Sequence, residues 1–408
     1  MPLEFDRIPW RITNDDVMGG LSSSRLEAQA SGMLFEGELS RENHGGFASA
    51  LGALAQPLRG FGAIRLTVSG DGRRYQLRLR ELRDGRSLAW RAFFTAGEEP
   101  AQVTLTPADF EPVLRGETVV GTAPLEETDI HYLGFMLTES EPGAFRLQVH
   151  DMEIMPRRSL GSTRLVIGAS RGIGLALAAA QLSDPDTQTL VATHRPGSSL
   201  DELSALGERW PGKLRLLPLD VTDAGNFDRL AAVAGEFEHG FDLAIHAAGI
   251  LHEGDLRPEK SLAQCEPHNL ARLFEVNSIG PLMTARALLP AQARKKRFIF
   301  AAISAMVGSI GDNRLGGWYG YRASKAALNQ FMRTLANECR LSHPQATIVA
   351  LHPGTTDTEL SRPFQRNIEP DRLYTAEQTA SRMLGVLGAL ESADSGRFFN
   401  WNGAEIPW

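Results

Sequence analysis

Two cysteines and five lysines stand among 408 residues, and both shortages narrow the reading. Cys265 and Cys339 make no disulfide framework and no metal spacing, which suits a reducing cytosol. The ten histidines form no His-x-x-x-His pair and no Cys/His cluster, so no metal is expected. No apolar run approaches about 18 residues, and no basic leader with an apolar follow-on opens the chain. Neither a membrane span nor a secretion signal is therefore expected, and the cytoplasm is the expected location. Internal repeats and low-complexity tracts are also lacking. Positive charge is written almost wholly as arginine, 37 against five lysines, so a lysine in a patterned position is informative.

At this length two domains are the starting expectation. Residues 1–155 hold 15 Arg, no Lys and 23 acidic residues, net −8, whereas 156–408 carry net +1. An acidic first segment argues against nucleic acid as its partner. From Ile64 to Asp151 the apolar residues alternate: Tyr75, Leu77 and Leu79 against Arg78 and Arg80, then Phe145, Leu147 and Val149 against Arg146, Gln148 and His150. Period two means half-buried strands. Asp71-Gly72 and Asp84-Gly85 supply tight hairpin turns between such runs. A first domain over 1–155, an all-β sandwich or jelly roll, is predicted.

After the linker "MPRRSLGST", the chain changes style. Apolar runs at "RLVIGAS", "TLVATHR", "LRLLPLDV", "FDLAIHAAG", "RFIFAAIS" and "ATIVALHPG" alternate with helical patterns. That alternation predicts an α/β fold over 160–408, a doubly wound parallel sheet covered on both faces. Gly168, Gly172 and Gly174, with Ser170, Arg171 and Ile173 among them, stand between the first strand and its helix. Such a turn lets a pyrophosphate approach the helix N-terminus.

The stretch "GWYGYRASKAALNQF", residues 317–331, holds two tyrosines and one lysine where a helix begins. Residues four apart share a helix face, so Lys325 pairs with Tyr321 and not with Tyr319. A neighbouring cation favours the phenolate, so the lysine is expected to lower the tyrosine pKa. Further along that helix, Leu328, Phe331, Met332 and Leu335 form an apolar stripe that serves either a second copy of the chain or the monomer's own core.

The Gly-x-x-x-Gly-x-Gly spacing, "LDVTD", "HAAG", "VNSIGP", "YRASK" and "HPGTTDTEL" occur in the order found in the short-chain dehydrogenase/reductase family, which residues 160–408 resemble throughout. The closing "GRFFNWNGAEIPW" is similar to the C-factor-like branch of that family. The resemblance implies an oxidoreductase interconverting a small-molecule carbonyl compound and its alcohol with a nicotinamide cofactor. It implies Tyr321 as proton donor, Lys325 as holder of the ribose, and Asn277 as a relay to Lys325 at a helix break near Gly280 and Pro281. Asp220, Val221, Ala248, Gly249, Pro353, Gly354 and Thr358 fall on the family's cofactor positions. The usual serine is the second of a Ser-Ser pair, but this chain reads Ser304-Ala305, leaving Ser304 or Ser309 to serve. Ile167 and Ala247 replace two further residues usual in the family. "THRPG" has no acid at the end of the second strand, and Arg195 and Arg171 are available for a 2′-phosphate, so NADP is expected over NAD.

"WRITNDDVMGGLSSSRL", "FEGELS", "ENHGGFAS" and "HYLGFML" resemble the complex I intermediate-associated protein family, whose domain is a galactose-binding-like jelly roll. That resemblance implies an assembly role and a protein partner. Asn14, Asp15, Asp16, His44, Gly45 and Gly46 either line a cleft or hold turns closed. The alternative for the whole chain is an NADPH-binding scaffold with little turnover. A carbohydrate-directed reductase would need exposed tryptophans, and Trp10 and Trp90 are the candidates.

Overall fold

A computed structural model describes residues 3–81, 88–114, 117–119, 125, 128–138, 141–156, 159–368 and 373–408. The chain divides into two compact units, Met1–Arg158 and Ser159–Trp408.

The first unit is a sandwich of two antiparallel sheets, with no α-helix among the described residues. One sheet runs in the order Trp10–Asn14, Phe47–Leu58, Ile130–Thr138, Arg74–Glu81, Ala89–Thr95, Glu111–Leu114, Glu117–Thr118. The other is Ser23–Ala28, Met33–Leu39, Gly143–Pro156, Phe61–Gly70, Ala101–Leu105. The alternation read from the sequence decides which side chains meet between them. Tyr75, Leu77 and Leu79 are fully buried with Phe35, Leu147 and Val149 in one core, while Arg78 faces outward. Trp90 is in that core, and Trp10 packs on it beside Phe5 and Phe135. Neither tryptophan therefore offers an exposed stacking platform. Gly72 has the positive φ, 82°, that its Asp-Gly turn requires. The expected hairpin is nonetheless corrected: this turn joins Phe61–Gly70 of one sheet to Arg74–Glu81 of the other. Asp84-Gly85 lies outside the described residues.

The second unit is a seven-stranded parallel sheet. Its strands are β1 (Thr163–Ile167), β2 (Thr189–His194), β3 (Leu214–Pro218), β4 (Leu243–His246), β5 (Phe298–Ile303), β6 (Ala346–His352) and β7 (Phe398–Asn400), in the order β3-β2-β1-β4-β5-β6-β7. Its helices are α1 (Gly172–Ser183), α2 (Asp201–Arg209), α3 (Ala224–Gly235), α4 (Pro267–Phe274), α5 (Gly280–Leu288), α6 (Tyr319–Ser342) and α7 (Ala376–Ala389). Continuous apolar runs suit strands buried on both faces, and separate apolar clusters cover the two sides of the sheet. The strand order reverses between β1 and β4, and ligands of open parallel sheets bind at such a switch point, outside the carboxyl ends of the strands. In α6, Leu328, Met332 and Leu335 are buried in the monomer core and Phe331 packs against it. The apolar stripe is thus accounted for without a second copy.

Candidate active site

The glycine turn between β1 and α1 is shaped by collisions that any side chain would cause. A Cβ on Gly168 would lie 2.9 Å from the Ala248 backbone, and one on Gly174 would strike the Gly168 carbonyl. Gly172 adopts φ 55° and meets only the Thr358 side chain. The turn is held by Thr193 of β2, a residue the motif reading missed: its hydroxyl accepts from Gly168 N–H at 3.0 Å and its carbonyl from Ala169 N–H at 2.7 Å. Thr193 offers this tether where the family's usual threonine is Ile167. Nothing in a local motif marks it, because the bond crosses between parallel strands. The N-terminus of α1 then opens toward Thr358, as an anion site at a helix start requires.

Asp220 closes an Asx turn by accepting from Thr222 N–H at 2.9 Å and Thr222 Oγ1 at 2.8 Å. Burial raises its carboxyl, but the Thr222 donors and the charges of Arg272 and Arg195 bring it below its ordinary value. Val221, beside it, packs where a Cβ on Gly280 would fall. The two arginines expected near a 2′-phosphate are engaged elsewhere in the chain. Arg195 pairs with Glu253 at 2.8 Å and Arg171 with Glu359, both in exposed surroundings. Exposed pairs of this kind contribute little, so either guanidinium is free to exchange partners at small cost.

The proton-handling residues converge from two elements, α6 and the turn between α4 and α5. Lys325 and Tyr321 lie one turn apart on α6 and are both buried, whereas Tyr319 is 45% exposed. Lys325 Nζ donates to the Ile303 carbonyl at 2.8 Å and sits 5.8 Å from the Tyr321 ring centre. Asn277 falls in a π turn, Glu275–Ile279, between α4 and α5, which is the break expected from the sequence. Its amide clamps Ile250, accepting from N–H at 2.8 Å and donating to C=O at 2.8 Å, and also donates to Ser324 Oγ at 3.2 Å. A Cβ on Gly249 would lie 3.3 Å from Asn277 Oδ1 and 3.5 Å from Lys325 Nζ, so the glycine leaves the space on which both converge.

The expected lowering of the tyrosine pKa is not realised. Burial pushes the Tyr321 phenol above its ordinary value, and burial lowers Lys325 to about 7. Both groups lose hydration, so desolvation dominates over their mutual influence.

Both candidate serine hydroxyls are engaged with partners other than Tyr321 in this structure. Ser304 is buried and donates to Asn329 Oδ1 at 2.6 Å, one turn beyond Lys325, while Ser309 donates to the Pro407 carbonyl at 2.5 Å. It is Ala305 that packs in the Tyr321 cluster, beside Val307, Trp318, Leu360 and Phe364. Successive residues at the end of a strand face opposite sides, which is why the hydroxyl and the methyl are exchanged. Trp318 is a further residue that motif reading missed. It adopts φ 53°, unusual outside glycine, and its ring lies 6.1 Å from Tyr321 and 5.0 Å from Phe364. Its N–H donates to the Glu259 carbonyl, and the buried Glu259 carboxylate accepts from Gly320 N–H at 3.1 Å at the start of α6.

Among the described residues no group of His, Cys, Asp or Glu has a geometry suited to a metal, and no helix is long and apolar enough to cross a membrane.

A parallel sheet with a glycine turn at its switch point, facing a buried Tyr-Lys pair, defines a dinucleotide-dependent oxidoreductase. Residues 162–369 match the short chain dehydrogenase model, and the chain belongs to that family. Residues 3–149 match Complex I intermediate-associated protein 30. Among relatives, C-signal of Myxococcus xanthus is 34% identical over 149 residues, 36% of this chain and 84% of that protein. The 1-hydroxy-2-glutathionyl-2-methyl-3-butene dehydrogenase of Rhodococcus sp. (strain AD45) is 30% identical over 247 residues, 60% of this chain and all of that one. A solved NADPH-bound carbonyl reductase from chicken fatty liver is 30% identical with a TM-score of 0.55, covering 62% of this chain and 96% of its own. The second unit is therefore an oxidoreductase with a nicotinamide cofactor and a small-molecule substrate.

Proposed function

We propose that the chain is an NADP-dependent reductase of carbonyl compounds, working in the cytoplasm, in which Tyr321 gives its proton to the developing alkoxide. The observation that carries this reading is the buried Tyr321-Lys325 pair, with Asn277 meeting Lys325 at the Gly249 gap. The glycine turn fits a dinucleotide, because its close backbone packing leaves the α1 N-terminus open to a phosphate. When bound, the nicotinamide supplies a hydride. The chain's own residues do the rest. Burial keeps the Tyr321 phenol protonated, the form a proton donor to a carbonyl needs. Lys325, held by the Ile303 carbonyl, provides a group near neutrality that can return a proton to it. Asn277 acts as a positioning residue, since its whole amide is spent on Ile250 and Ser324. Gly168, Gly172, Gly174, Ala248, Gly249, Pro353, Gly354 and Thr358 would frame the cofactor. Arg195 and Arg171 would exchange Glu253 and Glu359 for a 2′-phosphate.

Ala305, Val307, Leu360, Phe364 and Trp318 give the substrate side an apolar wall, which favours an apolar carbonyl compound over a charged one. The resemblance of the first unit adds a protein partner to the proposal, without specifying it.

The test is NADPH oxidation by the purified chain across aldehydes, ketones and quinones, with Tyr321→Phe as the blank. Turnover by the wild type that falls at least about 100-fold in the variant is expected. Equal rates would remove Tyr321 from the chemistry. In the same assay Arg195→Ala should raise KM for NADPH about tenfold and leave KM for NADH unchanged.

A further inference from the structure

The first unit carries a second concave feature, on the outer face of its seven-stranded sheet. Cross-strand register places Arg11, Leu51, Gly134, Arg78 and Arg91 in one row on that face. An open cleft of about 270 Å³ lies there, walled by Thr13, Ser49, Leu51, Arg78, Arg80 and Met136, and among the described residues no Asp or Glu lines it.

Arg78 is the residue that ordinary packing does not explain. Its guanidinium donates to Gln76 Oε1 at 3.0 Å and touches Met136 Sδ at 3.5 Å, but no carboxylate pairs with it among the described residues. Among the described residues, the charged groups that act on it are Arg80 and Arg91. Burial first, and then those two arginines, lower it to about 10. Arg91 is held by Glu111 at 3.3 Å across the neighbouring strand, while Arg80 makes no ion pair among the described residues. Like charges opposite one another on antiparallel strands are destabilising, and a half-buried cation without a counter-charge costs more. Residues 1–155 hold 23 acidic side chains, yet none of those among the described residues lines this cleft. A guanidinium fork facing a cleft matches the paired oxygens of a carboxylate or phosphate. The Thr13 side chain lines the same space, and Leu51 and Met136 provide an apolar flank.

We propose that this cleft binds the oxyanion of a small molecule, a carboxylate or a phosphate ester, gripped by Arg78 with Arg80 beside it. The site is independent of the reductase chemistry. It also differs from the loop residues singled out in the sequence, since Asp15 is consumed by internal hydrogen bonds.

Isothermal titration of the full chain with inorganic phosphate and, separately, with citrate, at constant ionic strength, compares the wild type with Arg78→Met. Anion binding elsewhere in the chain is common to both proteins and drops out of the difference. At least one probe should bind the wild type tenfold or more tightly than Arg78→Met, and whichever probe does so identifies the oxyanion type. Arg78→Lys, which keeps charge and loses the fork, should fall between them. Without added anion Arg78→Met should melt no lower than the wild type, because it removes an uncompensated cation. Equal isotherms, no binding by the wild type, or a lower melting temperature for a folded Arg78→Met would each overturn the proposal. Should Arg78→Met fail to fold, Arg80→Gln decides: weaker binding supports the site, and unchanged binding sinks it.

Discussion

Ser304 and Ala305 show how much chemistry turns on which of two adjacent side chains faces a cleft. The Ser304 hydroxyl is spent on Asn329 inside the protein, and the neighbouring Ala305 packs against the cluster that contains Tyr321. Ser304→Ala should therefore leave turnover within about twofold of the wild type and cost about 1–2 kcal/mol of stability, because Asn329 Oδ1 loses a buried donor. A chemical denaturation curve run beside a steady-state assay checks both halves. Ala305→Ser adds a hydroxyl to the cluster around Tyr321, the proposed proton donor to the carbonyl oxygen. One donor to a developing oxyanion is worth roughly 10²-fold or more in established sites, so an increase of about tenfold in kcat is expected here. A variant with unchanged kcat would show that the substrate oxygen lies elsewhere.

At the scale of elements, the loops of the first unit are tied by one carboxylate. Asp15 is buried, with Ser22 N–H at 2.9 Å, Ser22 Oγ at 2.5 Å and Gly46 N–H at 2.6 Å as its donors. A Cβ on Gly45 would fall 2.6 Å from its Oδ2, and one on Gly20 would collide with the carboxylate. This favours the turn-holding role of Asp15 over a ligand role. Burial raises the carboxyl, but the Ser22, Gly46 and Phe47 donors outweigh it and hold it below its ordinary value. Asp15→Ala should cost the first unit roughly 2–4 kcal/mol, since several buried donors are orphaned at once. Calorimetric melting is the measurement, and a loss below about 0.5 kcal/mol would refute the role. In the second unit α6 does two jobs with one strip of side chains. Its buried face supplies Tyr321 and Lys325 to the site and Leu328, Met332 and Leu335 to the core.

For the whole molecule, two histidines, His246 buried and His352 half-buried, make an acid-sensitive second unit. Burial, with Lys325 adding to it, lowers His246 to about 3, and burial lowers His352 to about 4. Thr284 Oγ1 donates to the Gly280 carbonyl at 2.9 Å, so the 3.1 Å contact with His246 Nδ1 makes that nitrogen the donor and leaves Nε2 bare. Both rings are neutral in the fold and protonate near 6.5 when unfolded. Their contribution is thus complete above about pH 6.5 and declines as pH falls toward 4, by up to about 1.4 kcal/mol per pH unit for each ring. Urea midpoints measured from pH 7 to pH 4.5 should fall steadily, and His352→Gln should flatten the slope. A midpoint that stays level over that range would contradict the neutral assignment of the two rings.

What the amino-acid sequence determined by itself was whatever depends on local spacing. Period two made Leu77 and Leu79 core residues, the four-residue interval paired Lys325 with Tyr321, and glycines 168, 172 and 174 marked a phosphate-sized turn. The order of the remaining motifs named the family. Tertiary structure alone decided the contacts between residues distant in the chain. It gave the Ser304 hydroxyl to Asn329, paired Arg195 with Glu253, and brought Thr193 under the glycine turn. It also turned Asp71-Gly72 into a corner between two sheets and gathered Arg78, Arg80 and Arg91 on one face. The physical reason is that backbone periodicity sets which way a side chain points from its own element. What it meets there, and how much water it loses, depends on elements that arrive from elsewhere in the chain.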